Sequence, residues 1–252
     1  MPDWLTAIQQ LKKKGSPAAL VTISEVAGSA PREVGTKMVV SATEFWGTIG
    51  GGNLEKLVLE DARKALLLHE PQKRRYPLGA KAGQCCGGLV EVFIEVFPVL
   101  PKLFLFGAGH VGQAICQTLE GTAFEVHLVD ERREWILHEA IPPSVVRHAC
   151  DWEDFLAEAE WDAKRTYVAI MTHEHLRDEA ILREVLRKPS RYLGLIGSEA
   201  KWRRFEARLK SRGFSEEELS RVKCPIGIGR FGKSPREVAI SFSAQLLQQY
   251  YA

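Results

Sequence analysis

Residues 102–130, KLFLFGAGHVGQAICQTLEGTAFEVHLVD, constrain the fold of this chain more than any other stretch. An apolar run at 103–106 enters Gly107-x-Gly109-x-x-Gly112, an amphipathic segment follows, and a second apolar run at 124–129 closes on Asp130. That order is strand, turn, helix, strand, the context in which a glycine pattern specifies a dinucleotide-type fold. The first glycine permits the tight turn, the second lets backbone approach a phosphate, and the third lets the helix pack on its strand. Backbone N–H groups at the helix start then face an anion. Asp130 falls where a nicotinamide-binding protein places its ribose-contacting acid, and equally where a plain surface acid would end a strand.

Strand and helix signals continue to alternate downstream. The patterns predict a helix over 111–119 and strands at 124–129, 145–147, 167–171 and 192–196. Helices are expected at 152–160, 179–186 and 200–212. Such alternation implies a parallel sheet with helices on both faces, and so a Rossmann-like C-terminal half. The last helix begins at Ser234-Pro235-Arg236-Glu237, an N-cap, an N1 proline and an N3 glutamate, and runs to about residue 250. Upstream, Pro98 and Pro101 bracket a short linker. We therefore expect an N-terminal domain at 1–98 and a C-terminal domain at 99–252. The smaller N-terminal part reads as α+β: helices at 4–14 and 54–68, strands at 19–26, 37–41, 45–49 and 89–97. Leu54, Leu57, Val58, Ala62, Ala65 and Leu66 share one helical face.

Ligands of open α/β sheets bind beyond the carboxyl ends of the strands. Four features fall there: the 107–112 turn, Asp130 with Arg132 and Arg133, the segment THEHLRD from Thr172 to Asp178, and Gly197-Ser198 with Lys201. His173, His175 and Asp178 carry a workable transition-metal donor set, yet two histidines at i and i+2 without a clear third ligand also suit hydrogen bonding to a polar ligand. Ser198 at a helix start reads as an N-cap or, with Lys201, as a phosphate contact. In the N-terminal half, Gly50, Gly51, Gly52 and Asn53 precede a helix and read either as an anion-holding turn or as a turn capped by Asn53. Cys85 and Cys86 lie before Gly87 and Gly88, a setting that favours an accessible thiolate able to meet a soft metal or carry sulfur, against the alternative of two small buried side chains. Cys116, Cys150 and Cys224 are expected to be structural.

Composition narrows the functional classes. Thirty-four basic against 32 acidic residues leave a net charge of +2, which supplies no bulk drive toward nucleic acid or a membrane surface. No apolar run nears the roughly 20 residues needed to span a bilayer. The opening MPDWLTAIQQLKKKG lacks the order of a signal peptide, and five cysteines with one vicinal pair do not form a disulfide framework. A cytoplasmic location is the expectation.

Taken together, GSAPREVGTKMVV, GTIGGGNLE, CCGG, LFLFGAGHVG, MTHEHLRD, LGLIGSEAKWRRF and PIGIGRFGKSPREVAIS make the chain resemble the xanthine dehydrogenase accessory protein family, XdhC/CoxI. The resemblance runs over nearly the whole length. It implies a molybdenum cofactor chaperone rather than a turnover enzyme, one that binds molybdopterin, supports its sulfuration by a cysteine desulfurase and delivers it to apo-xanthine dehydrogenase in purine catabolism. The residues it points to for cofactor binding are Arg32, Gly50, Gly51, Gly52 and Cys86 in the N-terminal half. In the C-terminal half they are Gly107, Gly109, Gly112, Thr172, His173, Asp178, Gly197, Ser198 and Lys201, and His110 in the turn and Asp130 at the ribose position complete the candidate cofactor-binding set. Gly28 and Glu55 are further signature positions, and Cys86 is the candidate molybdenum contact. Two departures stand out: the cysteine is doubled by Cys85, and Gly229 stands where an acid is common. The competing reading from the glycine turn and Asp130 is an NAD(P)-dependent oxidoreductase, although no constellation for hydride transfer stands out. A third is a protein-binding assembly factor with an empty scaffold. Self-association is left open by the sequence.

Overall fold

The computed structural model describes residues 3–78, 88–229 and 231–252. The chain divides into two compact units, Met1–Val99 and Leu100–Ala252.

The first unit is a five-stranded antiparallel sheet in the order β3-β2-β1-β5-β4, with β1 Ala18–Ala27, β2 Lys37–Val40, β3 Phe45–Gly47, β4 Gln72–Pro77 and β5 Leu89–Phe97. Alternation puts Ala19, Val21 and Ile23 of β1 with Val90, Val92 and Ile94 of β5 on one face, where they meet Leu54, Val58, Ala62 and Ala65 of α2, Gly52–Leu68. Ala18, Leu20 and Val39 face the other way, onto Ala7 and Leu11 of α1, Trp4–Lys13. Two local expectations need correction, and one strand is absent from the sequence reading. Leu57 is exposed, so the buried stripe of α2 is narrower than its sequence suggests. The helix is capped by Gly51, not Asn53, because the chain enters it through glycines at positive φ. The polar strand β4, QKRRYP, carried too little apolar alternation to be read from sequence and pairs with β5 at the edge.

Glu91 lies on the outer side of β5, yet it is 3% exposed, because Lys73 at 2.6 Å, Arg75 at 2.7 Å and Ser24 at 3.1 Å cover it. Hydrogen bonds from Lys73 and Arg75, opposed by desolvation, bring its carboxyl down to about 2. An unfolded glutamate titrates near ~4.3. A depressed folded pKa contributes stability that is complete above the unfolded value and is lost as pH falls through the folded one. The urea midpoint should therefore fall with acid between pH ~4.3 and ~2, and Glu91→Gln should flatten that part of the profile; an unchanged acid slope in the variant would refute the assignment.

The second unit is a six-stranded, wholly parallel sheet in the order β11-β10-β9-β6-β7-β8. The strands are β6 Lys102–Phe106, β7 Glu125–Val129, β8 Val146–His148, β9 Thr166–Ile170, β10 Tyr192–Leu195 and β11 Val222–Lys223. Central strands KLFLF and TYVAI are apolar throughout because helices cover both faces. On one face α3, His110–Leu119, packs its Ile115, Cys116 and Leu119 against Ala239, Phe242 and Leu246 of α9, Pro235–Tyr251. Burial pushes the Cys116 thiol up to about 12, so this sulfur stays neutral in the core. On the other face lie α5 Trp152–Glu158, α6 His175–Val185 and α7 Glu199–Ser211. Short α4 Arg133–Ile136 and α8 Glu216–Ser220, too brief for periodicity to reveal, complete the unit. The capping box at Ser234 and Glu237 starts α9 as the sequence predicts. The chain runs outward from β6 through β7 and β8, then crosses back to place β9 on the other side of β6. Crevices for ligands open at such a switch point. Among the described residues no helix is long and apolar enough to cross a membrane.

Candidate functional site

The turn after β6 lies against the end of β9. Gly107 has φ +114°, and a Cβ there would stand 2.4 Å from Met171 O; only glycine fits. A Cβ on Gly112 would stand 2.0 Å from Gly107 O, so the third glycine lets α3 sit on the turn itself. Gly109, the N-cap of α3, has φ −65° and no atom within 4 Å of a would-be Cβ. Its missing side chain answers no contact within the protein. The three glycines thus divide between turn, packing and open space, and the open one adjoins the free N–H groups of a helix start.

Beside the turn, a shallow, solvent-open cleft is bounded by Gly107, Asp130, Thr172 and His173, with Phe106 and Ile181 as its apolar wall. Three further lining residues, Glu131, Cys150 and Arg177, carry polar chemistry that sequence reasoning did not assign to a site. Arg177 ties together the loops after three strands, reaching Glu131 Oε1 at 2.8 Å and Asp151 Oδ2 at 3.6 Å. Its signal was present in THEHLRD, one residue before Asp178. Cys150 packs against the core beneath α5 and also lines the cleft. Burial, then the charges of Asp154, Asp151 and Glu158, raise its thiol, which keeps it in the protonated, weakly nucleophilic form.

Asp130, 8% exposed, accepts from Ala108 N at 2.8 Å and is gripped by Arg132. Burial pushes its carboxyl up, but the Arg132 and Ala108 hydrogen bonds outweigh that and hold it below the usual aspartate range. Thr172, Asp178 and Lys201 converge as expected, in an arrangement turned inward. Asp178 is 1% exposed; its Oδ1 accepts from Thr172 N at 2.9 Å and Thr172 Oγ1 at 2.7 Å, and its Oδ2 accepts from Lys201 Nζ at 2.6 Å. Lys201, 6% exposed, also donates to Ile196 O at 2.8 Å. This buried pair joins the starts of α6 and α7 and orients Thr172 on the cleft; neither charge faces outward to read a ligand. Ser198 is the N-cap of α7, accepting from Lys201 N at 3.2 Å. The two histidines separate: His173 lines the cleft, whereas His175 opens α6 with its side chain 78% exposed. Helix α6 therefore begins four residues earlier than the apolar pattern implied. No group of three metal-ligating side chains occurs among the described residues.

In the first unit, Gly50, Gly51 and Gly52 have φ of 134°, 72° and 62° and lead into α2. Glu55 holds Thr48 Oγ1 at 2.5 Å, and Thr48 in turn accepts from Gly50 N at 3.2 Å, so the signature glutamate fixes this turn. Arg32 is exposed between β1 and β2. Cys85 and Cys86 lie outside the described residues.

Residues 103–246 match the family described as the XdhC Rossmann domain, and residues 11–77 match the XdhC and CoxI family. The chain is 34% identical to the uncharacterized protein YqeB of Escherichia coli K12, over 96% of this chain and 45% of that protein. It is 24% identical to the molybdenum cofactor insertion chaperone PaoD of the same organism, over 92% of this chain and 83% of the relative. A Bacillus subtilis protein described as a probable xanthine dehydrogenase component is also 24% identical, over 63% of this chain and 46% of its own length. The chain thus spans less than half the length of YqeB and of the Bacillus subtilis protein. A crystal structure described as a xanthine dehydrogenase of Bacillus halodurans superposes with a TM-score of 0.55 at 21% identity, covering 100% of this chain and 96% of that one, a likeness of fold. With a match that covers more than half its length and a second over its N-terminal half, the chain belongs to the XdhC and CoxI family.

Proposed function

We propose that this protein binds the molybdenum cofactor and hands it to an apo-molybdoenzyme of the xanthine dehydrogenase type, acting as an insertion chaperone rather than a turnover dehydrogenase. The observation that carries the reading is the open cradle at Gly109, a helix start whose missing side chain serves nothing within the protein. Similarity to PaoD over most of both chains supports it. The cofactor, when bound, supplies a dithiolene-held molybdenum and a terminal phosphate. The residues fit the phosphate: a helix start such as that of α3 offers N–H groups to an anion, and Gly109 leaves room for one. Thr172, held in place by Asp178, and His173 supply hydrogen-bonding groups on the cleft. Cys86 is the proposed molybdenum contact, and a cysteine desulfurase the proposed sulfur donor before delivery. The buried pair of Asp178 and Lys201 keeps this rim in register and takes no part in contact.

Gly109→Val tests the reading. A branched side chain in the cradle should lower affinity for the cofactor at least ~10-fold while shifting stability by less than about 1 kcal/mol, since no protein atom opposes it. Both are read on the full chain, by titration calorimetry and thermal unfolding. Unchanged affinity in the folded variant would move the phosphate elsewhere. Sustained protein-dependent hydride transfer from NADH or NADPH to a defined substrate would overturn the chaperone reading altogether.

A further inference from the structure

Asp130 directly follows β7, at the position from which a dinucleotide-binding fold presents a free carboxylate to a ribose diol. Here that carboxylate is already filled. Oδ1 accepts from Arg132 N at 3.0 Å and Arg132 Nε at 2.9 Å; Oδ2 accepts from Ala108 N at 2.8 Å and Arg132 Nη2 at 2.7 Å. A diol would have to displace a bidentate guanidinium to donate there, and charge-assisted forks are the strong hydrogen bonds of proteins. Because Arg132 grips through Nε and one hydrogen of Nη2, its end-on edge, Nη1 with the second hydrogen of Nη2, keeps its donors unspent among the described residues. The plane of the cation is fixed a second time by the Trp135 ring, 5.1 Å from the guanidinium carbon, and Trp135 is met edge-on by His110 at the start of α3, 5.2 Å between centroids. Through Asp130 and Ala108 N the guanidinium is tied to the glycine turn itself. Of the neighbouring charges, Glu131 is answered by Arg177, and Glu134 and Arg133 project exposed from α4 with opposite sign.

We propose that Arg132 is the specificity-determining residue of this site: by occupying Asp130 it removes the acceptor that a ribose diol needs, and it offers its free edge to a phosphate monoester. The planar fork of arginine matches a phosphate dianion in a way that a point charge does not. The inference rests on the proposed cofactor reading in taking that monoester to be the terminal phosphate of the pterin at the start of α3, which Arg132 would share with the helix N–H groups; the 2′-phosphate of NADP has the same chemistry. A pterin cofactor extended by a nucleotide lacks the terminal monoester and should bind less well.

The test is calorimetric titration of the full chain with four probes: molybdenum cofactor in its phosphomonoester form, its nucleotide-extended form, NADP⁺ and NAD⁺. Wild type should favour the phosphomonoester form over both the nucleotide-extended form and NAD⁺. Arg132→Ala should lose roughly 10- to 100-fold for the phosphomonoester, the range for a charged hydrogen-bonding pair, and should gain affinity for NAD⁺ as Asp130 is released. Arg132→Lys should keep part of the preference and Arg132→Gln none, with NAD⁺ affinity rising as phosphomonoester affinity falls, an opposite response of the two ligands that a purely structural role for the fork would not produce; this pair decides the matter if Arg132→Ala fails to fold by thermal unfolding. Equal phosphomonoester affinity in wild type, Arg132→Ala and Arg132→Gln would overturn the inference and leave the cofactor reading intact. Arg132-dependent binding of NADP⁺, with no binding of either pterin form, would overturn the cofactor reading and leave the role of Arg132 standing. Wild-type affinity for NAD⁺ equal to that for NADP⁺ and the phosphomonoester would refute both the filled carboxylate and the free edge.

Discussion

Lys201→Met should destabilise the protein by about 3–5 kcal/mol, the usual consequence of removing one partner from a buried ion pair. The partner left behind is Asp178, 1% exposed, whose Oδ2 loses a 2.6 Å ammonium bond and retains a long 3.9 Å approach from His175 Nδ1. Methionine nearly matches the volume of the lysine stem, so the loss is electrostatic and not a cavity effect. For a chain of this size that corresponds to a fall of roughly 10 °C in Tm. Because the pair joins the starts of α6 and α7, the thermal or urea transition should also broaden if the loops at the strand ends loosen first. The double variant Lys201→Met/Asp178→Leu should recover much of the loss, but not all, since Thr172 N and Oγ1 then lose their acceptor. A single-variant loss below about 1 kcal/mol would show that the pair is solvated in solution and restore Lys201 as a candidate ligand contact.

The contrast between that pair and its sequence shows where reading a chain succeeds and where it stops. Strand–helix alternation, the order of glycines and the capping box at Ser234 are local signals, decided within a few residues, and all appear in the fold. Asp178 and Lys201 were legible as neighbours, because both follow strands of one parallel sheet. Which way their charges point depends on Ile196 O and Thr172, groups brought together only by β9 and β10. Arg177 stands in the first turn of α6, after β9, and Glu131 and Cys150 belong to the loops after β7 and β8, so their convergence on one cleft is a product of strand order and has no trace in spacing. Arg132 stands two residues from Asp130 in the sequence, but a carboxylate so placed reads the same whether it is free or filled. The polar edge strand β4 and the short helices α4 and α8 escaped because they carry too few apolar residues for a period to show.

Gly112→Ala should cost about 3 kcal/mol or more, although it adds one methyl group to a helix where alanine is intrinsically favoured by roughly 1 kcal/mol. The added Cβ would stand 2.0 Å from Gly107 O, a backbone atom with nowhere to go. Gly107 is anchored by its N–H to Val129 O at 2.9 Å and pressed against Met171 O, where its own hypothetical Cβ would come within 2.4 Å. Relief therefore requires α3 to lift from β6, opening its packing against Leu128 and, through Ile115 and Leu119, against α9. Overpacking ordinarily costs 1–3 kcal/mol when a side chain can turn aside, and no side chain is available to do so here. Gly109→Ala in the same turn is the control: with nothing within 4 Å of the new carbon, its cost should stay within the ~1 kcal/mol by which alanine is a poorer N-cap than glycine. Urea denaturation of the two variants side by side separates a glycine kept for packing from one kept for a ligand. Equal losses in both would mean that Gly109 is structural too, and would remove the cradle on which the cofactor site is built.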